Sequence, residues 1–185
     1  MDAGTDILLF YSKSKDLPAG TYVPGRLYQE HTDYPEHYLL LNAIPNWRRV
    51  LSNFHVFDFT IEVAPDTVLT FRTIEHGFHY FKIKIADPFR AFEFALESRS
   101  KLSKGDGLDA RRAQKIVVLS EQDLKTWEQQ RDHVLEMLAT CRYTQDPLSK
   151  QVLLATQDAQ LWHIVSRSTP VRFEFLERLR DKLRA

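Results

Sequence analysis

Residues 73–96 read TIEHGFHYFKIKIADPFRAFEFAL, and this stretch decides the fold class. Ile74, Phe78, Phe81 and Ile85 recur at i, i+4, i+7 and i+11, the spacing of an apolar stripe on a helix. Thr73 is placed to cap its start. Pro88 suits the first position of a second helix, with Phe89, Phe92 and Leu96 as its inner face. Further along, SEQD at 120–123 reads as a capped helix start. That helix is expected to run to about Arg142, with Leu124, Trp127, Val134, Leu138 and Cys141 as its apolar line. Asp146-Pro147 opens another helix through Ala155. A last helix is expected over 169–183, with Phe175, Leu176, Leu179 and Leu183 inside.

Toward the N-terminus the pattern changes. DILLFY at 6–11 suits a short buried strand, and HVFDFTIEV at 55–63 alternates apolar and polar residues as a half-buried strand does. Pro65-Asp66 then makes a turn, and residues 68–71 are its hairpin partner. Residues 17–50 are rich in Pro, Gly, Tyr and His and read as a loop-rich insert. The expectation is a single domain over 1–185, mainly α, with a small N-terminal β element.

Composition narrows the function classes. Lys+Arg 25 balances Asp+Glu 25, so a broad electrostatic grip on nucleic acid or an anionic membrane is not expected, although a local basic pocket is. Hydrophobic residues at 43% and aromatic residues at 12% exclude bulk disorder. The lone Cys141 excludes an internal disulfide framework and a multi-cysteine zinc cluster, and fits a reducing compartment. No stretch is apolar for long enough to span a membrane, and the acidic, polar start is not a secretory signal. An intracellular location, cytoplasmic or nuclear, is therefore expected. Gly-rich phosphate loops, HExxH and Cys-pair zinc motifs are missing, and His76 with His79 and His31 with His37 read as scattered histidines, so neither a metal nor a cofactor is expected; GxSxG is missing too, so a serine-hydrolase elbow is not expected.

Three constellations carry chemistry. Glu75, His79 and Lys82 fall at i, i+4 and i+7 and share one face beside the apolar stripe. They read either as a solvated face with i, i+4 pairing or as an acid/base site at the edge of the core. Trp127 and Arg131 are also i, i+4, and Arg131 interrupts the apolar line. A guanidinium directed there needs a buried carboxylate or an anionic ligand, unless it reaches back to water. LSNF at 51–54 precedes a strand, where Asn53 is an ordinary turn former. Lys13 and Lys15 read as a solvated loop or as phosphate contacts.

These motifs occur together in an order that resembles the NADAR family, also called YbiA-like: LSNF at 51–54, TIEHGFHYFK at 73–82, ARRAQKIVVLSEQDLKTWEQQRDHVLEML at 110–138 and LLAT at 153–156. The family pattern has SNF, an EHxFQxxK helix, a Trp followed four residues later by Arg, and LLxT. The resemblance covers about residues 6–180. It implies a mainly α fold and N-glycosidase chemistry on ribosyl compounds. Some members hydrolyse phosphoribosylamino intermediates of riboflavin synthesis, and others remove ADP-ribose from guanine in DNA. By position, Glu75 matches the family's acidic residue, while Asn53 (with Phe54 beside it), Trp127 and Arg131 match pocket residues. Two departures stand out. The family's Gln is His79 here, and AQLWHIVSR at 159–167 lacks the Trp-Gly pair of many members, leaving Trp162, His163 and Arg167 to fill that side.

What the resemblance implies is hydrolysis of a C1′–N bond. Glu75 is expected to stabilise the ribosyl cation, helped by His79 and Lys82. Arg131, Lys13 and Lys15 are expected on phosphate, Trp127 on a base or ribose, and Asn53 on ribose hydroxyls. The partner is then ADP-ribosylated nucleic acid, or an ADP-ribosyl or phosphoribosyl small molecule. A binding module that holds ADP-ribose without turnover is the alternative from another class.

Overall fold

The structure is a computed structural model that describes residues 5–164 and 169–185. Arg167 lies outside the described residues. In chain order the elements are β1 (Ile7–Phe10), α1 (Leu39–Asn42), α2 (Trp47–Val50), β2 (Phe59–Ala64), β3 (Thr67–Phe71), α3 (Ile74–Lys84) and α4 (Pro88–Phe92). After these come α5 (Gly107–Ala113), α6 (Glu121–Gln145), α7 (Pro147–Ala155), β4 (Gln160–His163), β5 (Val171–Arg172) and α8 (Glu174–Arg184). Helix predominates, as a mainly α chain requires. Backbone contacts group the chain into two compact units, residues 1–52 with 147–185, and residues 53–146.

In the first unit β1 does not form a self-contained N-terminal element. It pairs in parallel with β4, Ile7 opposite Gln160, and β4 pairs antiparallel with β5. Leu8, Leu9 and Phe10 of β1 are buried, as are Leu161 of β4, Val152 and Leu153 of α7, and Leu176 and Leu179 of α8. The strand at 160–163 went unread in the sequence because four residues carry too little periodicity to show it. The final helix begins at Glu174 rather than near 169, because residues 171–172 are held in the sheet. Its buried side is Leu176, Leu179 and Arg180, with Phe175 and Leu183 only half-buried.

The loop-rich segment 17–50 is tied down by buried polar contacts. Glu30 accepts hydrogen bonds from Leu9 N (3.0 Å), Gly20 N (2.9 Å) and Arg48 Nε (2.9 Å), and meets Arg48 Nη2 at 2.6 Å. Arg48 also donates to the carbonyls of Leu17 and Pro18 and stacks over Trp47.

In the second unit β2 and β3 form an antiparallel hairpin that turns at Asp66, whose φ is +59°. The strand starts at Phe59, so residues 55–58 stay irregular. Gln145 at the end of α6 clamps the hairpin by accepting from Thr60 N (2.9 Å) and donating to Thr60 O (2.8 Å). Helix α3 starts where Thr73 predicts, its hydroxyl accepting from His76 N. Its buried face differs from the expected stripe. Ile74 is buried as expected, but with it are His76, Gly77, His79, Tyr80 and Ile83, while Phe78, Phe81 and Ile85 are half-exposed. The reason is close packing of α3 on α6. A Cβ on Gly77 would lie 2.5 Å from Leu138 Cδ2, so the glycine face, not the phenylalanine face, turns inward.

Helix α4 is a second correction. Phe89 is 90% exposed and Phe92 41%, whereas Ala91, Phe94 and Ala95 fill the core. The helix stops at Phe92, so the spacing that linked Phe89 to Leu96 never develops. Helix α6 runs three residues past the expected end, with Ser120 and Asp123 forming the capping box. Leu124 is 43% exposed, and burial along α6 is concentrated from Val134 onward.

Candidate functional site

The second unit carries the candidate site on the first turns of α3. Glu75 lies one position inside the helix start, where an acidic side chain is favoured by the exposed backbone N–H groups. Its own N–H donates to the carbonyl of Asn53 at 3.2 Å, which draws the SNF turn against the helix. One turn later His79 Nε2 meets Glu75 Oε1 at 3.1 Å. The imidazole is buried (4% of its side chain exposed) and the carboxylate nearly so (14%). His79 Nδ1 has no hydrogen-bond partner among the described residues, so the ring's single polar contact is the carboxylate.

Aromatic walls flank this pair. Phe78 meets Trp127 edge to face at 4.7 Å, and His79 lies 6.1 Å from Phe94. Trp127 is 4% exposed and thus fixed. Phe54 rests on α5, where Gly107 makes the approach possible: a Cβ there would sit 2.7 Å from Phe54 Cα. Beneath lies His76, fully buried. Its Nδ1 faces the Thr73 hydroxyl at 2.8 Å and its Nε2 faces the Leu102 carbonyl at 3.2 Å. A carbonyl only accepts, so Nε2 carries the proton and Nδ1 accepts from Thr73. Burial accordingly lowers the His76 pKa below its ordinary 6.5. His76 was not singled out in the sequence; the capping Thr three residues before it was the available signal.

The unit thus gathers Asn53, Phe54, Glu75, His79 and Trp127 from three segments. Lys82 lies on α3 one turn beyond His79, half-buried. Arg131 is a correction. It does not enter the core: its side chain is 48% exposed and pairs with Glu128 (3.1 Å) and Asp132 (3.4 Å). The flexible stem turns its head to water and to the carboxylates beside it. Cys141 is half-buried and burial pushes its thiol upward, the opposite of what a nucleophilic cysteine needs. No His, Cys, Asp or Glu group able to hold a metal ion occurs among the described residues.

The other expected residues belong to the first unit. Lys13 and Lys15 are exposed on either side of the buried Ser14, which accepts from Tyr11 N. Trp162 donates to Gln160 Oε1 at 3.0 Å, and His163 stacks on Phe173 at 5.0 Å beside Phe10. That unit also holds a cleft of about 360 Å3 lined by Asp6, Tyr34, His37, Tyr38 and Asp158. Its carboxylates are already engaged. Asp6 accepts from Tyr38 Oη (2.6 Å) and Asp33 N (2.8 Å), and Asp158 pairs with Arg184 (2.6 Å). Burial and that bond to Asp6 drive the Tyr38 phenol far above its usual range.

No helix among the described residues is long and apolar enough to cross a membrane. No protein-family model matches the chain, and neither does any curated protein. Among solved structures, the NMR structure of the E. coli protein YbiA is similar, with a TM-score of 0.51 and 20% sequence identity over 74% of this chain and 76% of that one. At that identity the likeness speaks to architecture, and what it establishes is a YbiA-like fold.

Proposed function

We propose that this protein is an N-glycosidase that hydrolyses the C1′–N bond of a ribosyl conjugate, removing ADP-ribose from guanine bases in nucleic acid. The observation that carries the reading is the Glu75–His79 pair, nearly buried, with Asn53 at its helix start and Phe78 of the same helix meeting Trp127 of α6. These residue types stand in the order of the motifs that resemble the NADAR family, and the YbiA-like fold supports the same class.

Breaking a C1′–N bond leaves the electron pair on the base nitrogen and builds positive charge on the ribose ring. In this reading the Glu75 carboxylate faces that charge and takes a proton from the attacking water, whose oxygen joins C1′. The departing base takes up a proton in turn. With His79 Nε2 donating to Oε1, the second carboxylate oxygen is left for the water. Trp127 and Phe78 wall the base or ribose, Asn53 bonds ribose hydroxyls, and Lys82 supplies positive charge for the phosphates.

The test is release of ADP-ribose from guanine-ADP-ribosylated DNA by wild type and Glu75→Gln in parallel. Wild type alone should release it, with the variant slower by about 10²–10⁴-fold and its melting temperature nearly unchanged. Equal rates would remove Glu75 from the chemistry. Release by neither would reject this substrate and turn the search to phosphoribosylamino compounds and to ADP-ribose as a stoichiometric ligand.

A further inference from the structure

Charge is balanced over the whole chain but not over residues 99–115, RSKLSKGDGLDARRAQK. This segment holds Arg99, Lys101, Lys104, Arg111, Arg112 and Lys115 against only Asp106 and Asp109. All six basic side chains are exposed. Arg112 reaches Asp109 at 4.0 Å, with both side chains largely in water, and the other five make no ion pair among the described residues. The two acids are occupied otherwise. They form the capping box of α5, Asp106 Oδ1 accepting from Leu108 N and Asp109 N, and Asp109 Oδ2 accepting from Asp106 N.

The segment is held in shape. Ser100 Oγ donates to Glu93 O (2.6 Å), Ser103 Oγ donates to Ser100 O (3.0 Å), and Ser103 N donates to Ser100 Oγ (2.9 Å). Gly107 and Ala110 bury the inner side of α5, leaving Arg111 and Arg112 outward. It also abuts the candidate site. Leu102 O receives His76 Nε2 of α3, and Gly107 touches Phe54, next to the Asn53 whose carbonyl holds Glu75 N.

We infer that residues 99–115 form a docking surface for the sugar-phosphate backbone of a nucleic-acid strand, gripping the nucleotides that flank the one bound at Glu75. The inference rests on the glycosidase reading and gives the nucleic-acid strand of that substrate a place to dock. A single ADP-ribose has two phosphates, too few for five unpaired cations and a sixth held only by a long, exposed contact. A strand offers a phosphate at every nucleotide, and charge without aromatic side chains contacts backbone rather than bases. Such binding is independent of sequence and steeply dependent on salt.

The experiment is fluorescence polarisation of a labelled, unmodified single-stranded oligonucleotide at 50 and 200 mM salt. With four phosphates neutralised, the affinity of wild type should fall by about 50-fold over that range, from a slope near −0.7 per contact. The variant K101E/K104E/R111E/R112E should bind at least about ten-fold more weakly at 50 mM salt and with a shallower slope, following the same relation. K101Q/K104Q/R111Q/R112Q serves should the reversal fail to fold, and K101R/K104R/R111K/R112K should bind as wild type does. Oligonucleotide binding unaffected by salt, binding by the reversed or neutral variant equal to wild type, or capture by phosphatidylserine vesicles in place of the oligonucleotide overturns the inference. A parallel assay on an ADP-ribosylated guanine nucleoside separates the two readings. Turnover there without oligonucleotide affinity sinks the surface alone. Oligonucleotide affinity of the expected kind without turnover on either substrate sinks the glycosidase reading and sustains the surface.

Discussion

Replacing Glu30 by Ala would remove a buried carboxylate that closes the 17–50 segment onto β1. None of the Glu30 side chain is exposed and only 5% of that of Arg48 is, so the substitution leaves a guanidinium without its counter-charge in a dry site. It also strips the acceptor from Leu9 N and Gly20 N. Breaking a buried pair from one side costs about 3–5 kcal/mol. For a chain of this size each kcal/mol lowers the melting temperature by about 2–4 °C, so Glu30→Ala should melt roughly 6–20 °C lower. The double variant Glu30→Ala, Arg48→Met should be less damaged than the single one, because the stranded charge has gone. Urea unfolding of wild type, both single variants and the double, followed by circular dichroism, completes the cycle. A cost below about 1 kcal/mol for Glu30→Ala, or strict additivity in the cycle, would refute the idea that this pair organises the segment.

Three further outcomes are expected. At His79, Gln can still donate to Glu75 and should keep kcat within about ten-fold, whereas Ala releases the carboxylate and should lower kcat by roughly 100-fold, measured at a temperature where both variants are folded because the buried ring's removal also lowers the melting temperature; equal kcat effects of the two would exclude positioning through that hydrogen bond. Gly107→Ala sets a methyl 2.7 Å from Phe54 Cα, backbone that cannot swing aside, at a cost of about 1–3 kcal/mol partly offset by up to about 1 kcal/mol of helix propensity. It should also raise KM for a ribosyl substrate, and an unshifted melting temperature and KM would contradict the contact. Burial lowers the pKa values of His55 and His76 below 6.5, so below that pH the unfolded chain binds protons that the folded chain resists. The stability from these two groups is complete above about pH 6.5 and lost as pH falls through their lowered values. Thermal melts at pH 7.5 and 5.5 should show it, with a smaller difference in His76→Gln; a variant as pH-sensitive as wild type would clear His76 of the effect.

Local features of this chain were legible because they are local. Thr73 and Ser120 cap helices where their spacing says they should, Pro147 starts α7, and the 59–71 hairpin turns at Asp66. The Glu75–His79 contact is likewise an i, i+4 consequence of helical pitch. What failed were inferences about facing. Phe78 and Phe81 are more hydrophobic than His76 and Gly77, yet the smaller residues turn inward because Leu138 needs the space at Gly77. Arg131 sits on the apolar line by count and in water by structure, where the carboxylates of Glu128 and Asp132 meet it.

By itself, then, the sequence determined the helical class, the starts of α3, α4, α6 and α7, the hairpin and the one-turn spacing that joins Glu75 to His79, all of which depend on residues within a few positions of each other. Tertiary structure alone decided that Ile7–Phe10 pairs with Gln160–His163 and that Glu30, among 25 acidic residues, closes on Arg48. It alone set Asn53 against the start of α3 and placed the cationic 99–115 segment beside it. Those choices are made by non-local packing, where burial and the pairing of distant polar groups outweigh local preference, and no short window of sequence contains both partners.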